Sequence, residues 1–164
     1  MLPAEHQYEV PAAPSATPWT ARHVRLVGLL VAGPAAVVLA LAAWVHPSPR
    51  GYDTHTQLGL SACSLIQTTG MPCPTCGMTT AFAHMARGQV VEALQAQAFG
   101  AVLFVLMLAA ALAGTAQALG GRDHFGAAPL RPRMWWLWAL LAGGTAGWAL
   151  KMALGLWSGA LPAR

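Results

Sequence analysis

Three strongly apolar stretches constrain this chain more than any other feature. They cover residues 24–45, 99–119 and 135–157. An α-helix rises about 1.5 Å per residue, so about 20 apolar residues cross the hydrocarbon core of a bilayer. Each stretch has that length. The pattern predicts an all-α integral membrane protein with three transmembrane helices.

The composition supports a membrane protein and excludes a soluble one. Hydrophobic residues make up 56% of the chain and charged residues only 9%, whereas soluble domains carry about 25% charged residues. The net charge of +4 comes from bases that lie beside apolar segments, where they contact headgroups. We therefore expect the lipid bilayer as a partner, and no nucleic acid.

The chain divides into a tail and a single membrane domain. Residues 1–21 are rich in proline and polar residues, a composition that predicts a flexible tail. Residues 22–164 form the membrane domain, in which residues 46–98 join the first two spans. Apolar residues at helical spacing between residues 78 and 97 predict one or two short amphipathic helices at the membrane interface, after a cysteine-rich loop.

The distribution of arginine predicts the orientation in the membrane. Cytoplasmic segments of membrane proteins carry an excess of Lys and Arg. If the N-terminus is cytoplasmic, five arginines lie inside and three outside; the inner set is Arg22, Arg25, Arg122, Arg131 and Arg133, and the outer set is Arg50, Arg87 and Arg164. We therefore expect the cysteine loop and the C-terminus to be outside.

Two features of the third span concern packing. Gly143 and Gly147 form a Gly-x-x-x-Gly pair, which lets another backbone approach closely. This face is a candidate for contact with a second copy or with another membrane protein; the alternative is that glycine is simply common in membrane helices. Lys151 lies near the end of the same span, and we expect its ammonium group to snorkel outward.

The chemistry-bearing segment is Cys73-Pro74-Thr75-Cys76-Gly77. It fits two local geometries. In one, Cys73 caps a helix that begins with Pro74, as in thioredoxin-like proteins. In the other, the segment is a turn with Gly77 in a left-handed conformation, like the metal-binding knuckle of rubredoxins and zinc ribbons. Glycine favours the knuckle, because it weakens the first turn of a helix.

A knuckle supplies two ligands, so a metal ion needs further ones. Cys63 and His84 fall on the same side of the membrane in the predicted topology, and the set Cys63, Cys73, Cys76 and His84 is chemically suited to zinc. We expect the three thiols to form one spatial cluster. A disulfide remains an alternative, because thiols outside the cytoplasm tend to oxidise. Copper(I) bound by Met71, Met78 and Met85 is a further one.

Two function classes fit this pattern. The first is a scaffold or interaction subunit whose cysteine loop is held by a disulfide or a metal ion. The second is a membrane thiol-disulfide oxidoreductase or metal-handling protein that uses the same cysteines. Whether the protein is an enzyme stays open at this stage.

Residues 58–110 resemble a bacterial family of small membrane proteins of unknown function. The resemblance rests on Cys63 and on the run Gly70-Met-Pro-Cys-Pro-Thr-Cys-Gly-Met-Thr-Thr-Ala-Phe82, followed by Arg87-Gly88. The family is marked by Cys-Pro-x-Cys-Gly-x-Thr-Arg-Ala, a later Gly-Asp and an Asn-Pro before the next span. The resemblance implies a bacterial integral membrane protein and carries no established activity.

This chain departs from the family pattern at three places. Thr80 stands where the family has arginine, Gln89 where it has an acidic residue, and Gln97-Ala98 where it has Asn-Pro. If the arginine serves a reaction or binds an anion, this chain has lost that function.

Overall fold

The computed structural model describes residues 20–122 and 134–157, and the described part of the chain contains helices and no strand. The helices are α1 (Ala21–Trp44), α2 (Ser64–Thr69), α3 (Met78–Met85), α4 (Val90–Gly120) and α5 (Met134–Trp157), with a 3-10 helix at Thr54–Leu58. The all-α prediction is confirmed. The predicted flexible tail, residues 1–21, lies outside the described residues except for its last two, and Ala21 begins α1.

Within the described ranges, three helices are long and apolar enough to cross a membrane: Ala21–Trp44, Val90–Gly120 and Leu137–Gly155. They correspond to the three predicted spans. Their large apolar side chains face outward; Leu30, for example, is 73% exposed. An exposed leucine on a long apolar helix is expected to contact lipid rather than water.

α1 and α4 form an antiparallel pair that is held together by small residues. A Cβ atom placed on Gly28 would lie 2.6 Å from the carbonyl oxygen of Gly114, so the two backbones touch at this point. Gln117 Nε2 donates a hydrogen bond to the carbonyl oxygen of Val24 across the pair. The start of α1 and the end of α4 therefore lie at the same end of the molecule, which the cysteine loop does not share.

α3 packs between these two helices. Residues 80–83 are all buried, and the rings of Phe82 and Phe104 meet edge to face with centroids 5.5 Å apart. Arg87 follows α3 and donates hydrogen bonds to the carbonyl oxygens of Ala42 and Ala43. Because the last carbonyls of a helix lack partners within it, Arg87 caps the end of α1.

A kink at Gln97 divides α4 into two parts. The backbone of Gln97 has φ −166° and ψ 105°, which is not helical. The residues before the kink and α3 are the predicted short helices, and the residues after it form the second span. Their position relative to the bilayer surface remains a prediction.

The glycine pair of α5 packs against another helix of the same chain. Cβ atoms placed on Gly143 and Gly147 would lie 2.6 Å and 3.0 Å from atoms of Phe99 in α4. The close approach that we predicted for this face is thus made to a neighbouring helix of the same chain. Contact of the same face with a second copy or another membrane protein stays a prediction.

Candidate metal centre

The segment between Cys73 and Gly77 folds as a knuckle. The amide of Cys76 donates to the carbonyl oxygen of Cys73, and the amide of Met78 to that of Thr75, at 3.0 Å and 3.1 Å. Gly77 has φ +90° and directly precedes α3. A side chain disfavours this left-handed conformation, which glycine adopts readily. The knuckle is therefore the geometry observed, and Cys73 does not cap a helix.

The short helix α2 connects Cys63 to the knuckle and allows the two to lie close in space. It directly precedes Ser64–Thr69, and Gly70 ends that helix with φ +73°, which turns the chain back. The amide of Cys63 donates to Asp53 Oδ1 at 3.1 Å, so the residues before α2 are fixed as well. Cys63 and Cys73 are ten positions apart in the sequence, and the fold brings their side chains together.

The three thiols form one cluster. Cys76 Sγ lies 3.2 Å from both Cys73 Sγ and Cys63 Sγ, and the remaining pair is 3.9 Å apart. All three cysteines are unbridged. Sulfur ligands at about 2.3 Å from a tetrahedral zinc ion lie about 3.8 Å from one another. The Cys63–Cys73 pair matches this separation, and the two pairs that include Cys76 are shorter. The prediction of one spatial cluster is confirmed.

The surroundings shift the pKa values of two of the thiols in opposite directions. Burial acts to raise the pKa of Cys73, but hydrogen bonds from Thr75, Cys76 and Cys63 outweigh it and lower that pKa to about 7. Burial raises the pKa of Cys76 to about 12, with further contributions from hydrogen bonding to Cys63 and Cys73. Of these two thiols, Cys73 therefore ionises at the lower pH when no metal is bound.

The carbonyl oxygens of the knuckle accept hydrogen bonds from two other helices. The donor and acceptor pairs are Trp148 Nε1 to Pro72 at 2.8 Å, Gln97 Nε2 to Pro74 at 2.9 Å and Lys151 Nζ to Cys76 at 3.1 Å. Two of these donors belong to α5 and the third marks the kink of α4. The cysteine loop is consequently the point where the end of α5 and the kinked start of α4 meet.

Lys151 does not simply snorkel outward. Its Nζ atom also donates to the carbonyl oxygen of Ala96 at 2.8 Å, one residue before the kink. A cation inside an apolar helix is costly unless partners surround it, and here the partners are backbone carbonyls. The sequence signal for this role was a charge inside a predicted span, and the identity of its partners could not be read from it.

A cavity of about 440 Å³ adjoins the three sulfur atoms. Its wall includes all three cysteines, Asp53, His55, Leu60, Thr75, Gly77, Met78, Thr79 and Thr80. Thr80 is fully buried and shares a 2.8 Å hydrogen bond with Thr54. The wall of the cavity thus carries a neutral hydroxyl group at this position.

His84 lies apart from the thiol cluster. The group of described residues whose ligand atoms converge consists of Cys63, Cys73 and Cys76. The ring of His84 lies 2.7 Å, through Nδ1, from Gln89 Oε1, at the connection between α3 and α4. The structure therefore brings together three of the four predicted ligands.

Part of this chain is similar to a family of uncharacterised proteins. Residues 63–111 match the model of a family described as "Protein of unknown function (DUF2752)". The match includes the three cysteines, α3 and the first two thirds of α4. A search of curated proteins and a search of solved structures each found no match.

Proposed function

We propose that this protein is a scaffold or interaction subunit of a bacterial plasma membrane, and that a zinc ion bound by Cys63, Cys73 and Cys76 holds its cysteine loop in shape. One observation carries the proposal. Three sulfur atoms converge within 3.2–3.9 Å of one another in the loop to which α4 and α5 are hydrogen-bonded. A metal ion at this point would fasten the loop on which two helices depend.

The convergence of all three thiols favours a metal ion over a disulfide. A disulfide joins two sulfur atoms and leaves the third without a role, whereas zinc uses each thiolate as a ligand. The knuckle turn with its left-handed glycine also supports zinc. The methionines give less support to copper(I), because Met78 and Met85 pack against the buried apolar clusters of the helix bundle.

The hydrogen bonds of the loop favour a fixed structure over a redox cycle. The carbonyl groups of Pro72, Pro74 and Cys76 are all engaged by side chains of other helices. A scaffold needs a rigid loop, whereas an oxidoreductase needs sulfur atoms that repeatedly bond and separate. The loop is therefore better suited to presenting a constant surface to a partner protein.

Metal analysis of the full-length protein in detergent tests the proposal. Wild-type protein should contain an equimolar amount of zinc, and Cys63→Ser, Cys73→Ser and Cys76→Ser should each lose most of it. Met71→Leu is the matched control, because it changes a soft donor in the same loop outside the cluster and should keep its zinc. Wild-type protein that binds neither zinc nor cobalt(II) would contradict the proposal.

The orientation in the membrane is part of the same proposal. Arg22, Arg25 and Arg122 lie at one end of the α1 and α4 pair, where Arg25 Nε would be 3.3 Å from a Cβ atom on Gly121. This supports a cytoplasmic location of that end. A phosphatase that is active only outside the cytoplasm should be active when fused after Gly70 and inactive when fused after Arg122. The reverse result would overturn the orientation.

A second candidate function is thiol-disulfide exchange. Cys73 Sγ and Cys76 Sγ are only 3.2 Å apart, and Cys63 supplies a third thiol at the same distance from Cys76. In this reaction the Cys73 thiolate attacks a substrate disulfide and releases one thiolate. The deprotonated Cys76 then attacks Cys73 and releases the second, so that two electrons reach the substrate and Cys73 and Cys76 become a disulfide.

Trapping distinguishes the two candidates. In Cys76→Ser the second attack from position 76 is lost, so a redox enzyme should accumulate mixed disulfides through Cys73. The double variant Cys63→Ser/Cys76→Ser removes both thiols that could resolve them. Mixed disulfides in these variants, together with zinc-free wild-type protein, would favour the enzyme over the scaffold.

A further inference from the structure

We infer that His55 supplies the fourth ligand of this metal site, the role for which His84 was the candidate in the sequence. The inference rests on the proposed function, because it concerns the same metal ion. Zinc in structural sites takes four ligands in tetrahedral geometry, and three cysteines with one histidine are a common set. The described residues provide three converging thiols, so one position around the ion remains to be filled.

His55 lies on the wall of the cavity that also contains the three cysteines, and His84 does not. The ring of His55 does not belong to the converging cluster of thiols. Ligation therefore requires the ring to move into the cavity that it lines. The volume of about 440 Å³ leaves space for an imidazole ring to do so.

The hydrogen bond that His55 makes in its observed position indicates the tautomer of the ring. His55 Nε2 lies 2.9 Å from the carbonyl oxygen of Ser61. A carbonyl oxygen can only accept, so Nε2 carries the hydrogen and Nδ1 of the neutral ring carries the lone pair. Metal-binding histidines are commonly oriented in this way, with the second ring nitrogen donating to a backbone carbonyl or carboxylate.

Two contacts tie the segment of His55 to the segment of Cys63. Besides the bond from His55 to Ser61, Asp53 Oδ1 accepts a hydrogen bond from the amide of Cys63 at 3.1 Å. Residues 53–55 are thereby held beside residues 61–63. An ion bound by Cys63 would consequently lie close to the segment that carries His55.

Charge favours His55 over Asp53 as the fourth ligand. A zinc ion with three thiolates carries one net negative charge. A neutral imidazole leaves this charge unchanged, whereas a carboxylate would add a second negative charge in a partly buried site. Asp53 also already holds the amide of Cys63. It is therefore better placed to support Cys63 than to bind the metal.

Cobalt(II) bound to the full-length protein in detergent tests the inference, because its visible absorption reports the number and type of ligands. We expect His55→Ala to weaken cobalt binding by at least about tenfold and to change the spectrum. Free imidazole should restore the wild-type spectrum in this variant by entering the cavity. The matched control His84→Ala should leave both affinity and spectrum unchanged.

The outcomes separate this inference from the proposed function. If wild-type protein binds no cobalt or zinc, the proposed function fails. If wild-type and His55→Ala bind cobalt equally and imidazole has no effect, the function stands and the role of His55 is overturned. Loss of the spectrum in Asp53→Asn alone would instead assign the ligand to the carboxylate. The variant His55→Cys retains a donor atom and should bind cobalt with added thiolate absorption. Unfolding temperatures equal to that of the wild-type protein would show that the variants fold.

Discussion

Lys151 Nζ lies 3.1 Å from the carbonyl oxygen of Cys76, so a charge from the third predicted span reaches the backbone of the Cys73–Gly77 knuckle. The same ammonium group bonds Ala96 at the kink of α4. One side chain therefore joins α4, α5 and the cysteine loop. This contact therefore helps to position α5 against the cysteine loop and α4.

Replacing Lys151 with methionine should release the end of α5 from the cysteine loop. The change keeps an unbranched, slightly shorter side chain but leaves two carbonyl oxygens without this donor. Hydrogen bonds to charged groups contribute about 1.5–3 kcal/mol each, so we expect a clearly lower unfolding temperature in detergent. Trp148→Phe removes one neutral hydrogen bond, to Pro72, and should lower it less. An unchanged unfolding temperature in Lys151→Met would show that the ammonium group is not needed.

Gly77→Ala should disrupt the knuckle. Gly77 has φ +90°, and a Cβ atom there would lie 2.5 Å from Ala96 O and 2.7 Å from both Gly51 O and Lys151 Nζ. The left-handed conformation alone costs a residue with a side chain about 1–2 kcal/mol, and the contacts with backbone atoms add to this. We expect a marked loss of bound zinc and a lower unfolding temperature.

Gly88→Ala is the matched control for this change. Gly88 has a similar φ of +74°, but nothing lies within 4 Å of a Cβ atom there. It should lose only the conformational part of the stability and keep its zinc. Equal losses of zinc in both variants would mean that crowding around Gly77 does not matter.

Alkylation of the metal-free protein should depend on pH through Cys73. Because hydrogen bonds lower the pKa of Cys73 from its ordinary value of 9.0 to about 7, its reactive thiolate is half formed at neutral pH. Burial raises the pKa of Cys76 to about 12, so this thiol should stay unreactive over the same range. We expect the rate of modification by iodoacetamide, located by mass spectrometry, to rise with a midpoint near pH 7 at Cys73.

Thr75→Val supplies the control for the titration. The hydroxyl of Thr75 lies 3.3 Å from Cys73 Sγ and stabilises the thiolate, so its loss should raise the pKa of Cys73 and move the midpoint to higher pH. A midpoint near pH 9 in the wild-type protein would contradict the prediction.

The contact between α1 and α4 should depend on Gly28. A Cβ atom at this position would lie 2.6 Å from Gly114 O and 2.7 Å from the amide nitrogen of Ala118, so Gly28→Ala should push the helices apart and lower the unfolding temperature. Nothing lies within 4 Å of a Cβ atom at Gly33. Gly33→Ala should therefore leave the temperature unchanged or raise it, because alanine favours a helix by about 1 kcal/mol over glycine. The same fall in both variants would show that the close contact at Gly28 is not what lowers the temperature.

Local patterns in the sequence were sufficient to predict the elements. The three apolar stretches predict the long helices because crossing a bilayer requires a fixed length of apolar residues. The order Cys-Pro-Thr-Cys-Gly predicts the knuckle, because the left-handed position after the second cysteine favours glycine. These predictions need only residues that are neighbours in the chain. The convergence of Cys63 with Cys73 and Cys76 could also be predicted, since only nine turn-rich residues lie between the first two.

Only the tertiary structure decided which distant residues meet the cysteine loop. Lys151 is 75 residues from Cys76 and Trp148 is 76 residues from Pro72, and their contacts depend on how α5 packs against α4. The same packing places Phe99 against Gly143 and Gly147. The sequence indicated that this face could pack closely, but it did not identify Phe99 as the contact. His84 lies beyond the cluster and His55 lines its cavity because α3 and the 3-10 helix point their side chains in directions set by packing. Residue type and spacing reveal which side chains can bind a metal, but helix packing determines which of them reach it.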